Sequence, residues 1–161
     1  MTQFRRLAPI LLGWAAGCAH PEAPSTGGFH DFRFADRVAE SGIRFETRIV
    51  DDAGKAYKHV QYDHGTGLAA ADVDGDGLPD LYFVTQLGSN ELWINRGAGR
   101  FEDRTDSAGL RMPDVIAVAA SFADTDNDGD PDLFVTTVRH GNRFFENLGH
   151  GKFRDMTGAA G

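Results

Sequence analysis

The chain has 161 residues, of which 41% are hydrophobic and 25% charged, and this composition is typical of one modest globular domain. Its formal net charge of −8 is concentrated, because nine of the 24 acidic residues lie within residues 72–80 and 124–132. A local excess of acid indicates cation sites and argues against a nucleic-acid partner. A single cysteine excludes an intrachain disulfide.

Residues 1–17 are predicted to be a signal peptide. The basic pair Arg5 and Arg6 precedes an apolar run that is too short to span a bilayer. Small residues directly before Cys18 resemble a bacterial lipobox, so Cys18 is the predicted lipidation site and the lipid anchor is the expected membrane contact. We therefore expect an exported lipoprotein of the bacterial outer membrane or cell surface. The alternative is a soluble secreted or periplasmic protein.

Residues 18–28 have the Pro-, Ser- and Gly-rich composition of a flexible tether, and residues 29–161 are the predicted folded segment. This segment begins with a Phe-x-Asp-x5-Gly pattern at Phe34 that recurs at Phe101 and Phe153. The first copy is only the tail of a unit. We expect it to form an orphan N-terminal strand that pairs with the last unit of a ring.

Residues 43–63 lie outside the repeat. Strand-like segments on either side of Asp-Asp-Ala-Gly at 51–54 predict an inserted hairpin.

A repeat follows the insertion. Shifting the sequence by 52 positions aligns residues 71–109 with 123–161 without a gap, and 18 of the 39 pairs are identical. Each unit contains short aromatic and β-branched runs separated by Gly- and Asn-rich turns, which predicts four strands per unit. Four strands in such a repeat are typical of a β-propeller blade.

The fold class predicted is all-β, a partial β-propeller with two four-stranded blades at about 65–109 and 116–161. Strands are expected at residues 67–71, 81–85, 91–95, 100–103, 133–138, 143–147 and 152–155. Helical turns at most are expected around 107–108 and 158–160. The large aromatic side chains are predicted to lie in the core between blades, namely Tyr82, Phe83, Trp93, Phe134, Phe144 and Phe145.

Each unit carries one acidic nonapeptide, loop 1 (residues 72–80) and loop 2 (residues 124–132). Both place aspartates at positions 1, 3, 5 and 9 and glycine at position 6, where a curled backbone needs positive φ. Clustered carboxylates with no histidine or cysteine suit Ca²⁺, which takes 6–8 oxygen ligands. Two Ca²⁺ sites are predicted, with the position-7 backbone carbonyls of Leu78 and Asp130 completing them. The predicted side-chain ligands are Asp72, Asp74, Asp76 and Asp80 in loop 1, and Asp124, Asp126, Asp128 and Asp132 in loop 2.

Two rival readings of the loops fit less well. An EF-hand needs a glutamate at position 12, and the chain has Phe83 and Val135 there. Mg²⁺ needs stricter octahedral geometry and retains more waters. Ca²⁺ binding is expected to be structural, because two carboxylate clusters pack into tight hairpins only when neutralised.

With these motifs, the chain resembles the FG-GAP or VCBS repeat proteins, which are relatives of the integrin α-chain propellers. In that family, Asp-x-Asp-x-Asp-Gly-x-x-Asp loops bind Ca²⁺ between the first two strands of a blade. More narrowly, residues 34–43, 72–82 and 90–109 resemble the start of the cartilage acidic protein family. The resemblance implies further blades beyond two, so we expect a fragment of a larger propeller, or completion of the ring by another copy or a partner.

Three functions remain open at this stage. The favoured one is a non-catalytic, exported Ca²⁺-binding module that binds an extracellular protein or glycan, as in adhesion. The second is an Mg²⁺-dependent phosphatase-like enzyme that uses Asp72 and Asp74, which would require a doubly wound α/β fold. The third is a purely structural repeat segment. No catalytic residue is assigned in the favoured reading.

Overall fold

The computed structural model describes residues 34–49, 66–138 and 140–160. The chain divides into a unit at Met1–Ala35 and a compact unit at Asp36–Gly161, and the fold below is that of the second unit. The predicted signal peptide, the tether, Cys18 and the second arm of the predicted hairpin lie outside the described residues. No helix in the described ranges is long and apolar enough to cross a membrane.

Two four-stranded antiparallel sheets make up the fold, and they confirm the prediction of two blades. Blade 1 has the strand order β1-β2-β3-β4 and blade 2 the order β5-β6-β7-β8. The strands of blade 1 are β1 (Leu68–Ala71), β2 (Asp80–Phe83), β3 (Glu91–Asn95) and β4 (Phe101–Asp103). The strands of blade 2 are β5 (Ile116–Ala123), β6 (Asp132–Val138), β7 (Arg143–Asn147) and β8 (Phe153–Asp155).

The three short helices are single turns and follow the repeat. They are α1 (Val38–Ser41), α2 (Thr105–Ala108) and α3 (Thr157–Ala160). α1 and α2 both end at a glycine in the left-handed conformation, Gly42 with φ 81° and Gly109 with φ 83°. The truncated first copy of the repeat therefore keeps its helical turn.

The orphan strand predicted at Phe34 is wrong for the residues described. Residues 34–37 belong to no strand, and the Phe34 side chain is 94% exposed. A strand needs a neighbour that supplies a row of hydrogen bonds, and none of the described strands pairs with this segment. The helical turn forms without such a neighbour because its hydrogen bonds are local, as in Ser41 N–H donating to Arg37 O.

The first arm of the predicted hairpin, residues 43–49, also forms no strand. It lies instead against the β2–β3 connection, where Gln86 N–H and Leu87 N–H donate to Arg48 O at 3.0 and 3.1 Å. Phe45 stacks on Phe83 with the ring centroids 4.8 Å apart. The segment therefore covers the outer face of blade 1.

The hydrophobic core lies between the two sheets. Strand alternation directs Tyr82 and Val84 of blade 1 towards blade 2, and Leu133 and Val135 of blade 2 towards blade 1; all four are fully buried. Tyr82 meets Phe122 of β5 edge to face, with the ring centroids 6.3 Å apart.

The prediction that all the large aromatic side chains lie between the blades is correct for Tyr82 and wrong for its repeat equivalent, Phe134. Phe134 is 40% exposed on the outer face of blade 2. β2 and β6 pack against the shared core with opposite faces. Equivalent positions in the repeat therefore lie in different environments. Blade 2 covers Tyr82, and no described element covers Phe134.

Candidate metal centres

Loop 1 connects β1 to β2 and is organised around Asp72. Asp72 Oδ1 accepts hydrogen bonds from Gly75 N at 2.9 Å and Asp76 N at 3.1 Å, and its Oδ2 accepts one from Gly77 N at 2.7 Å. Gly75 and Gly77 have φ of 77° and 86°, which lets the backbone curl over the carboxylate. The backbone of loop 1 therefore curls around the carboxylate of its first aspartate.

Asp80 ties loop 1 to the strands behind it. Its side chain is fully buried and accepts from Val73 N at 2.9 Å and from Asn95 N at 2.7 Å. Burial raises the pKa of Asp80, while the two backbone hydrogen bonds lower it and the nearby charges of Asp74 and Asp76 raise it further. Asp80 is thus a buried acid that accepts two hydrogen bonds and lies near two like charges. A cation stabilises the carboxylate form of such a group.

Asp74 carries the clearest sign of a missing partner. Its Oδ1 atom is buried and has no hydrogen-bond partner among the described residues, while its Oδ2 lies 3.5 Å from Arg96 Nη1. Leaving a buried carboxylate oxygen without a donor or cation is costly.

Three of the four predicted loop 1 side chains come together. Carboxylate oxygens of Asp72, Asp74 and Asp80 all lie within 4.8 Å of one another. Two oxygens bound to one Ca²⁺ at about 2.3–2.6 Å are separated by at most about 5 Å, so this cluster fits one ion. Asp76 is not in the group, and its Oδ1 accepts from Leu78 N at 2.8 Å.

Loop 2 repeats this construction with small differences. Asp124 accepts from Asn127 N at 2.7 Å and from Gly129 N at 3.1 Å. Asn127 takes the place of Gly75 and keeps its positive φ, at 64°. Asp132 accepts from Asn147 N at 2.8 Å and from the backbone and hydroxyl of Thr125, as Asp80 accepts from Asn95 and Val73.

The loop 2 cluster has a different membership. Oxygens of Asp124, Asp126 and Asp128 lie within 4.8 Å of one another, and all three residues are exposed, while Asp132 does not belong to the group. Desolvation within the loop raises the pKa of Asp126, and the charges of Asp128 and Asp132 add to the rise. The backbone carbonyls of Leu78 and Asp130 stay predicted ligands.

Blade 2 covers loop 1. In the turn between β7 and β8, Gly151 N–H donates to Val73 O at 2.9 Å, and Asn147 Nδ2 donates to the same oxygen at 3.0 Å. A pocket of about 180 Å³ beside this contact is lined by Asp74, Arg96, Arg104, His150 and Lys152 among others.

Sequence reasoning missed Arg96 and the docking of Gly151. Both contacts are tertiary, joining residues far apart in the chain. The sequence nevertheless distinguishes Arg96, because Leu148 stands at the equivalent position of the other repeat unit. Asn95 and Asn147, the last residues of β3 and β7, accept from Gly97 N and Gly149 N at 3.0 Å in the turns that follow.

Comparison with known proteins agrees with this architecture. Residues 72–135 match the FG-GAP-like repeat family model. Cartilage acidic protein 1 of Homo sapiens is 29% identical over 99 residues, and that of Mus musculus is 28% identical over the same length. Each match covers 60% of this chain and 15% of the relative. The predicted resemblance to FG-GAP repeat proteins and to the cartilage acidic protein family is confirmed.

Proposed function

We propose that this chain is an exported, non-catalytic module that binds one Ca²⁺ in loop 1 and one in loop 2. The observation that carries the proposal is the buried Oδ1 of Asp74, which has no hydrogen-bond partner in the described part of the chain and belongs to the cluster of Asp72, Asp74 and Asp80. The donor set is oxygen alone, which favours a hard cation over zinc or copper.

The role proposed for the ion is structural. When bound, Ca²⁺ supplies two positive charges to a set of carboxylates that otherwise repel one another. Asp80 and Asp132 belong to the loops and also accept from β3 and β7, through Asn95 N and Asn147 N. Neutralising the loops therefore stabilises the first three strands of each blade, and binding is coupled to folding.

The geometry does not favour the phosphatase alternative. Both oxygens of Asp72 are engaged by backbone N–H donors, so this carboxylate serves the turn and is a weakened nucleophile. The described residues form antiparallel sheets, in contrast to the doubly wound parallel sheet that such a site requires. We expect no turnover of p-nitrophenyl phosphate with Mg²⁺.

Export and partner binding complete the proposal. The leader and Cys18 support a lipoprotein at the bacterial cell surface or outer membrane, and the similarity to FG-GAP repeats and cartilage acidic protein 1 supports an extracellular location. The chain matches only 15% of its relatives' length. A role in binding an extracellular protein or glycan is therefore proposed for the larger propeller, to which this segment contributes two blades.

Isothermal titration calorimetry with CaCl₂ tests the metal sites. The unmodified chain is expected to bind two ions, and Asp74→Ala and Asp126→Ala are each expected to lose one. Asp114→Ala is the matched control, because it removes an exposed aspartate outside both loops and should leave two ions bound. Equal stoichiometry in all four proteins, or no heat of binding, would contradict the proposal.

A further inference from the structure

The two loops differ in one nearby charge. Arg96 is the first residue after β3, and the repeat places Leu148 at the equivalent position after β7. Arg96 Nη1 lies 3.5 Å from Asp74 Oδ2, and the Asp74 side chain is only 17% exposed. Among the ion pairs of the described residues, none involves an aspartate of loop 2.

We propose that Arg96 is a built-in competitor for the cation of loop 1, and that its absence from the equivalent position makes loop 2 more dependent on the ion. This inference rests on the proposed Ca²⁺ binding and assigns a residue that sets the affinity of one site. The guanidinium neutralises part of the loop 1 charge when no ion is bound, and it repels the ion when one enters.

The position of Arg96 lets it both neutralise part of the loop 1 charge and repel an entering ion. Its Nε also pairs with Glu102 Oε2 at 2.9 Å, and Glu102 is held in turn by Arg104 Nε at 3.2 Å. The arginine therefore remains beside the loop after an ion takes Asp74. Blade 2 has Arg154 where blade 1 has Glu102, so an equivalent anchor is missing there as well.

Simple electrostatics gives the size of the effect. A unit positive charge several ångströms from a divalent ion changes binding by on the order of 1.4 kcal/mol even at a water-like dielectric constant, which corresponds to about ten-fold in affinity. Asp74 is partly shielded from solvent, so screening is weaker than at an open surface.

The test follows each loop separately in the full chain by NMR during a CaCl₂ titration. Gly77 N–H donates to Asp72 and Gly129 N–H donates to Asp124, so these two amide resonances report loop 1 and loop 2. The variants are Arg96→Leu, which copies the residue of blade 2, and Leu148→Arg, which copies that of blade 1. Arg100→Leu is the control for net charge, because Arg100 is exposed in the same turn and forms none of the described ion pairs.

Arg96→Leu is expected to lower the half-saturating Ca²⁺ concentration at Gly77 by about ten-fold and to leave Gly129 unchanged. Leu148→Arg is expected to raise the concentration needed at Gly129. If Arg96→Leu behaves as Arg100→Leu does at Gly77, the proposal is overturned while Ca²⁺ binding stands. If neither amide of the unmodified chain responds to Ca²⁺, the proposed function fails and this inference fails with it.

Discussion

At the scale of single residues, the two units use the same backbone plan and fill it with different side chains. Asp80 and Asp132, and Asn95 and Asn147, make equivalent hydrogen bonds in both blades. Tyr82 and Phe134 are equivalent in the repeat but differ in burial, 0% against 40% exposed. Polar contacts shared by the two units thus define the hairpins. The burial of an apolar position depends on which face of its sheet is covered.

Tyr82→Phe is expected to be neutral or to raise the free energy of unfolding by up to about 1 kcal/mol. The Tyr82 hydroxyl is buried, its contact with the Asn90 side chain falls short of hydrogen-bond geometry, and burial raises its pKa so that it stays neutral. Removing it spares a desolvation cost, while the ring keeps its contact with Phe122. Chemical denaturation measures the change.

Tyr82→Ala is the matched comparison, since it also removes the ring and is expected to cost about 3–5 kcal/mol, the range for large aromatic truncations. A Tyr82→Phe variant that lost more than about 1 kcal/mol would show that the hydroxyl has a partner.

At the scale of elements, the helical turns depend on a side chain from the preceding strand. Asp103 Oδ1 accepts from Thr105 N at 2.9 Å before α2, and Asp155 Oδ1 accepts from Thr157 N at 2.8 Å before α3. Each threonine hydroxyl in turn accepts from the neighbouring strand, at Leu92 N and Phe144 N. The aspartate and threonine together join each helical turn to its sheet.

The contribution of Asp155 is expected to depend on pH. The hydrogen bond from the Thr157 side chain lowers the pKa of Asp155, so the folded state favours the carboxylate. Its stabilising contribution is fully present above the ordinary aspartate pKa of about 3.9 and is lost as the pH falls through the lowered folded value. Asp155→Asn should therefore lower the thermal midpoint at neutral pH, and the difference from the unmodified chain should shrink below about pH 4. A difference independent of pH would contradict this assignment.

At the scale of the whole molecule, the blades are joined by repeated backbone contacts. A Cβ at Gly109, after α2, would lie 3.0 Å from Phe153 O of β8, and a Cβ at Gly42, after α1, would lie 3.2 Å from Phe101 O of β4. The ends of α1 and α2 therefore approach the last strand of the following blade. The same step relates the truncated first copy to blade 1 and blade 1 to blade 2.

Gly109→Ala is expected to destabilise the fold more than Gly99→Ala does. Both glycines have positive φ, 83° and 73°, so both alanines carry a backbone cost of about 1–2 kcal/mol. Only Gly109 has a backbone oxygen in the way, since nothing lies within 4 Å of a Cβ at Gly99. Urea unfolding of the two variants compares them, and equal losses would show that the close approach to β8 contributes nothing.

Much of this molecule could be predicted from the sequence because its signals are local. The strand at residues 91–95 was predicted with the bounds that it has, and the acidic nonapeptides mark their hairpins by spacing alone. Contacts between distant residues leave no comparable local signal, and Arg96 is marked only as a difference between the two repeat units. Residues 43–49 look like a strand by composition but lie on the β2–β3 connection, and the exposure of Phe134 depends on what stacks against blade 2.

Thermal unfolding followed by circular dichroism, in CaCl₂ and in excess chelator, tests most directly whether a divalent ion holds these hairpins. Ligand that binds only the folded state at about 100 times its Kd adds about 2.7 kcal/mol per site, so the midpoint should rise clearly with Ca²⁺ and fall when it is removed. The Asp74→Ala Asp126→Ala double variant should lose this response. An unmodified chain that melts at the same temperature, with the same β signal, in both buffers would contradict the account.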